Sequence, residues 1–257
     1  SIAKELALHN VNLMYTYMPS SYNENFQLPD ILTGGDISGI IVLNLYDKHI
    51  IKRITRLETP KVFLDTVPSI TEKILGCDLV LIEGRNSISE IVDDTVKRGC
   101  TRLGFVGDVN YARTNLERYY GYTDGIAMHN IPLEPDICLT DTISISGYQS
   151  RIFNFLDSIK EMPDAFICVS DYVAQYVAMY ISKYPERFSK PILLTGFDGN
   201  KEYVSVADKI TTANVSTRHL GKKLALQILY RMDCPNAPRE TIYVHPEITY
   251  LSSIFPN

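Results

Sequence analysis

The chain has 257 residues, 45% of them hydrophobic and 21% charged, the composition of an ordinary globular protein with room for two domains of roughly 130 residues. Its 30 acidic and 25 basic residues leave a formal charge of -5, which argues against a nucleic-acid-binding surface spread over this chain. No apolar run reaches the roughly 18 residues of a membrane span, and the five cysteines and five histidines form no CxxC pair and no HExxH, so disulfide frameworks, zinc sites and metal catalysis have no support.

In chain order, residues 1–10 read as the tail of a helix, with Ile2, Ala3, Leu6 and Ala7 at helical spacing. Residues 11–18 alternate as a strand would, and 37–43 form a buried apolar strand. Residues 47–57 are helical, 61–64 and 79–82 are strands, and a helix runs from about 87 to 98. A strand at 103–106 stops at Gly107-Asp108, and a helix follows to about residue 130. Next come a short strand at 137–139, an amphipathic helix at 147–159, a strand at 165–169 and a helix from Ser170-Asp171 to about 183. The strand at 191–195 ends in Gly196-Phe197-Asp198-Gly199. A short strand at 210–212, a helix at 217–232 and one or two strands within 240–251 close the chain. Short apolar strands alternating with helices predict an α/β fold with doubly wound parallel sheets.

The segment LGFVGDVNYARTNLERYYGY (103–122) organises the functional reading. Thr114 and Glu117 have the spacing of a capping box. Arg118 then stands in the first turn of a helix, where the dipole disfavours a cation, with no carboxylate three or four residues away. Such an arginine reads as a hand reaching toward a ligand. Ligands of open α/β sheets bind outside the carboxyl ends of the strands. The residues there are Asn44, Asp65, Asp108, Ser170, Asp171 and Asp198, besides Arg118. The set is polar and carries both charges but holds no activated nucleophile with its base. It suits hydrogen bonding to a polar small molecule better than catalysis. Each member has a plainer reading. Asp171 reads as a helix N-cap, and Asp65 and Asp198 as residues closing turns.

The ordered pieces SGIIVLN (38–44), PKVFLD (60–65), EIVDDTVKRGCTRLGFVGD (90–108), ERYYGYTDGI (117–126), PDAFICVSDYVA (163–174), ILLTGFDG (192–199) and ITTANVSTRHLGKKLALQIL (210–229) resemble the effector-binding core of LacI/GalR-type transcriptional regulators. That resemblance implies two Rossmann-like parallel-sheet lobes of the periplasmic-binding-protein type, joined by three crossovers, with the effector cleft between them. The lobes would be 1–82 plus 217–245, and 83–216 plus 246–257, with the first strand of the N-terminal lobe outside this chain. It carries effector contacts over to Arg118, Asp198 and Asp65, with Ser170 as a polar contact ahead of Asp171. It departs from the family at Cys100, where relatives show histidine, and around Thr142, where they present an aromatic residue.

The resemblance further implies a cytoplasmic sensor, not an enzyme and without a cofactor, within a repressor. It would bind a small polar effector, a sugar or sugar derivative, and act as a homodimer on operator DNA through an N-terminal helix-turn-helix outside this chain. The alternative is an extracytoplasmic sugar-binding protein of an uptake system, against which the odd cysteine count stands. A phosphorylated effector would need further cations near Arg118, for which Arg113 is the candidate.

Overall fold

The computed structural model describes residues 1–251 and 254–255. In chain order the elements are α1 (Ile2–Ala7), α2 (Asp30–Thr33), β1 (Ile40–Val42), α3 (Lys48–Thr55), β2 (Lys61–Leu64), α4 (Glu72–Leu75) and β3 (Asp78–Ile82). They continue with α5 (Arg85–Lys97), β4 (Leu103–Val106), α6 (Arg113–Met128), β5 (Cys138–Leu139), α7 (Tyr148–Ser158), β6 (Ala165–Cys168) and α8 (Asp171–Lys183). The last are β7 (Ile192–Asp198), β8 (Thr211–Asn214), α9 (Thr217–Asp233), β9 (Thr241–Val244), β10 (Glu247–Thr249) and β11 (Ile254–Phe255). The chain divides into two compact units. One comprises Ser1–Ile82, Ala112–Thr114 and Ser216–Val244, the other Glu83–Tyr111, Asn115–Val215 and His245–Asn257.

The first unit is built on a parallel sheet in the order β1-β2-β3-β9. Apolar residues at helical spacing turn one face of α3 inward, and Ile50, Ile51 and Ile54 are buried together with Val42, Phe63, Leu79 and Leu81. Asp47 starts that helix by accepting from the amides of His49 and Ile50, and it also accepts from the amide of Tyr22 at 2.9 Å. Arg53 on the same helix donates to the carbonyl of Phe26 at 2.7 Å and to the Tyr22 hydroxyl at 3.1 Å. These bonds hold the irregular segment before β1 against the sheet. On α9, Arg231 and Gln227 reach Asp78 at the start of β3.

The strand expected at residues 11–18 is absent. Its alternation is real, but alternation describes a surface, and a strand also needs a neighbour for its N–H and C=O groups. Among the described residues nothing pairs with this stretch, and Met14, Tyr15 and Tyr17 remain exposed.

The second unit has a sheet in the order β10-β8-β7-β6-β4-β5. The five strands from β8 to β5 run parallel. β10 is antiparallel to β8, and β11 lies antiparallel beside the first residues of β7. Only His245-Pro246 separate β9, in the first sheet, from β10. β4 and β6 are buried throughout, and Tyr122 on α6 is fully buried with its hydroxyl donating to the Leu103 carbonyl at 2.7 Å. Strand order reverses between β6 and β4, since the chain leaves β4 toward β5 on one side and builds β6, β7 and β8 on the other. The carboxyl ends of β4 and β6, at that reversal, are the usual ligand position of such sheets.

Candidate functional site

Arg118 reaches the carboxyl end of β6. It is 5% exposed, although it is a free-swinging residue by type. Its Nη1 donates to the carbonyl of Val169, the residue after β6, at 2.8 Å. The guanidinium carbon stands 3.7 Å from the ring centroid of Phe197 on β7, and Nη2 is 3.5 Å from Oδ1 of Asp198. A guanidinium stacked on an aromatic face and removed from water gains about 2 kcal/mol. The Nε of Arg118 is buried without a hydrogen-bond partner among the described residues. Asp198 ends β7 with φ +102 and a side chain 41% exposed. Surrounding protein pushes its carboxyl up, while Arg118 pulls it down by less. The pair thus offers a ligand one accessible carboxylate backed by a fixed cation.

The stem of Arg118 runs over Gly84, where a Cβ would stand 2.6 Å from Cγ and 3.4 Å from Nε. Gly84 has φ -126 and ψ -24, a backbone any residue adopts, so the glycine is required for space alone. Gly84→Ala is expected to cost about 1–3 kcal/mol, the usual penalty of overpacking. Cγ is close to the helix and cannot swing aside as the tip of a long side chain would. A shift in urea midpoint below the equivalent of about 0.5 kcal/mol would show that Arg118 tolerates displacement.

The N-cap expected of Asp171 falls to Ser170 instead. Ser170 is the N-cap of α8, accepting from the amide of Val173 at 3.3 Å. Asp171 is the first helical residue and 3% exposed. Its carboxylate turns away from its own helix end and accepts from the Thr212 hydroxyl at 2.8 Å and the Asn200 amide at 2.7 Å. Gly196 makes room for it, since a Cβ there would stand 2.1 Å from Oδ1. Asp171 therefore fastens the turn after Asp198.

The remaining candidates sit where strands end. Asp108, 1% exposed, accepts from the amides of Asn110, Tyr111 and Ile143, and so shapes the loop after β4. In the first unit, Asn44 (φ 52) and Asp65 (φ 63) follow β1 and β2 in the left-handed region, which Asn and Asp enter most readily. Asn44 is exposed. Asp65 is buried and accepts from the Thr66 amide at 2.7 Å and from the Thr114 hydroxyl at 2.5 Å. The capping box expected at Thr114 is therefore not formed. The helix begins one residue earlier, at Arg113, and the hydroxyl is given to a carboxylate. Arg113 is paired with Glu72 and is not a spare cation. No group of three His, Cys, Asp or Glu side chains among the described residues could hold a metal ion.

The model of the periplasmic binding protein-like domain family matches residues 92–254. This chain belongs to that family. The HTH-type transcriptional repressor PurR of Mannheimia succiniciproducens is 25% identical over 161 residues, which is 62% of this chain and 47% of the repressor. The chain thus spans about half the length of that curated relative. A LacI-type regulator from Bacillus cereus subsp. cytotoxis superposes with a TM-score of 0.78 at 18% identity, covering 98% of this chain and 88% of that one. A LacI family regulator from Enterococcus faecium with bound ribose gives 0.73 at 17% identity, with 98% and 91% covered. The fold expected from the resemblance to LacI/GalR regulators is the fold observed, and these relatives are regulators.

Within this periplasmic-binding-protein-like chain, Asp171 also sets a pH response. Burial pushes its carboxyl up to about 6, against the hydrogen bonds from Thr212 and Asn200 that pull it down. An unfolded aspartate titrates near 3.8. Between those values the native chain holds a proton that the unfolded chain has released, so stability rises as pH falls from about 6 to 4. Asp171 acting alone contributes on the order of 3 kcal/mol across that window. Below it the sign reverses. Asp164, whose partners Lys190, Thr101 and Arg102 overcome its burial and hold it at about 2, costs stability as it is protonated. Urea midpoints measured from pH 7 to 3 should therefore pass through a maximum, and Asp171→Asn should flatten the rise on its neutral side. A curve that falls steadily from pH 7 would contradict the assignment.

Proposed function

We propose that this chain is the effector-sensing part of a LacI/GalR-type transcriptional repressor, with its two units as the lobes of the sensor. The observation that carries the proposal is the Arg118–Asp198 pair, with Val169 and Phe197 fixing the arginine, at the strand-order reversal of the second sheet. The effector in this reading is a small polar molecule of the sugar class. Asp198 accepts from its hydroxyls and Arg118 donates to them, while Ser170 is a secondary contact. A structural neighbour at low identity holds ribose, which supports a sugar without choosing one. Operator DNA would be bound by a helix-turn-helix elsewhere in a homodimeric protein, and effector occupancy would shift the DNA-binding equilibrium by its differential affinity for the two states. Five free cysteines suit the cytoplasm.

The test is a thermal-shift screen of the purified chain against sugars, sugar phosphates and nucleobases. A ligand at about a hundred times its dissociation constant adds roughly 2.7 kcal/mol of stability, enough to move the midpoint by several degrees. A hit that disappears in Arg118→Ala supports the reading; a hit indifferent to that change refutes it.

A further inference from the structure

Asp198, the carboxylate of the proposed site, has a main chain that a residue with a Cβ does not adopt freely. Its φ of +102 lies beyond the left-handed well at about +50 to +70. Such conformations persist only where the surrounding structure over-determines them. The next two amides show what does so here. The Asn200 amide donates to Oδ2 of Asp171 at 2.7 Å. The Gly199 amide donates to the Thr212 hydroxyl at 3.3 Å, and that hydroxyl donates to Oδ1 of Asp171 at 2.8 Å. Both amides that follow Asp198 thus end on one buried carboxylate, one of them through a relay. The Asp198 carbonyl in turn accepts from the Val215 amide at 3.2 Å. Gly199 continues the turn at φ +66, where a Cβ would stand 2.2 Å from Oδ1 of Asn214.

The strength of this anchor depends on charge. Hydrogen bonds to an ionised acceptor are roughly twice as strong as those between neutral groups. A proton on Oδ1 would also end the donation from Thr212, and the relay from Gly199 with it. The titratable groups acting on or with Asp171 are Asp198 at the end of β7, Cys168 at the end of β6 and Tyr203 between β7 and β8. β8 contributes the neutral Thr212. From this arrangement we infer that Asp171 is the positioning residue of Asp198, holding it in its effector-accepting conformation while ionised and releasing it on protonation. Effector and proton then exclude each other, and binding one expels the other. The inference rests on the proposed effector site and adds its regulation by pH. Burial sets the Asp171 carboxyl at about 6, so affinity falls as pH falls through that value. Stability rises below the same value, because the native chain holds a proton that the unfolded chain has released. Loss of folding does not produce such opposite trends.

The experiment follows the Gly199 and Asn200 amides by heteronuclear NMR in the ligand-free chain between pH 7 and 5, in the wild type, Asp171→Asn and Thr212→Val. Both wild-type amides should shift together with a midpoint at about 6, and both should stay fixed in Asp171→Asn. Thr212→Val keeps the side-chain shape but breaks the relay, so it should reduce the Gly199 shift and leave Asn200 titrating. That variant also carries the test if Asp171→Asn fails to fold. Amides that do not titrate in the wild type, or that titrate unchanged in Asp171→Asn, overturn the inference. The second arm is calorimetry with D-ribose as the probe. Its affinity for the wild type should fall about tenfold from pH 7 to 5, the fold-change of losing one hydrogen bond to a charged group, and for Asp171→Asn by less than about twofold. Ribose bound equally at both pH values, with affinity lost in Arg118→Ala, overturns the inference and leaves the effector site standing. Amides that titrate as expected, with ribose binding indifferent to Arg118→Ala, refute the effector site and uphold the anchor.

Discussion

Arg231→Ala should destabilise the first unit by about 3–5 kcal/mol, the cost of stripping the partner from a buried charge. Asp78 is wholly buried at the first position of β3, and its two oxygens receive Nε and Nη2 of Arg231 at 2.9 and 2.7 Å. Gln227 donates to the same carboxylate at 2.9 Å, and the Glu240 amide at 3.0 Å. Arg231 spends its other protons on the carbonyls of Ala237 and Pro238. One side chain in the last turn of α9 therefore ties the helix to the strand and shapes the turn leading into β9. Removing it leaves a carboxylate with two neutral donors and several carbonyls with none. Against a total stability of about 5–15 kcal/mol, that loss is large. Asp78→Ala should cost a similar amount, and the double variant well under the sum, because the two changes destroy one interaction. Urea unfolding of the three variants measures this. A cost below about 1 kcal/mol for Arg231→Ala would mean that water reaches the pair.

The parts of the fold that were legible in the sequence are those where one face decides the element. β4 and β6 are buried throughout and flanked by polar turns, so an apolar run of four residues sufficed to place them. Where pairing decides, the pattern misled. Residues 11–18 alternate without a neighbour to bond. β10 and β11 run antiparallel to β8 and β7, and strand direction is not recorded in a hydropathy pattern. The site divides similarly. Arg118 was visible as a cation in the wrong place on a helix, and Asp198 as an acid after a buried strand. The structure brings these two together, adds Phe197 beneath the guanidinium, and holds Asp65 and Asn44 at strand ends of the other unit. Phe197 had a signal, as the aromatic residue preceding Asp198. Gly84 and the carbonyl of Val169 had none, since one is needed only for its missing side chain and the other is main chain. The part taken by Asp171 was misread because a carboxylate at a helix start has a cheap local use, and only the tertiary fold brings Thr212 and Asn200 within its reach.

Arg118→Ala is the change that should abolish ligand response most completely. Hydrogen bonds to a charged group contribute about 1.5–3 kcal/mol each, so the loss of a direct guanidinium contact weakens an effector roughly ten- to hundredfold. The loss of its support for Asp198 adds to this. Without the cation, the push of surrounding protein on the Asp198 carboxyl is no longer opposed by Arg118, and the balance moves from an accepting carboxylate toward the neutral acid. Effector affinity in the variant should consequently fall more steeply with falling pH than in the wild type, a behaviour that simple loss of packing would not produce. Arg118→Lys separates the contributions. A lysine keeps the charge but is a point donor without the planar fork, and it cannot hold the Val169 carbonyl, face Phe197 and pair with Asp198 in one pose. It should retain the folding and the Asp198 titration of the wild type while recovering only part of the affinity. An Arg118→Lys variant that binds as tightly as the wild type would show that charge alone is needed here, and the stacking on Phe197 would then be packing and nothing more.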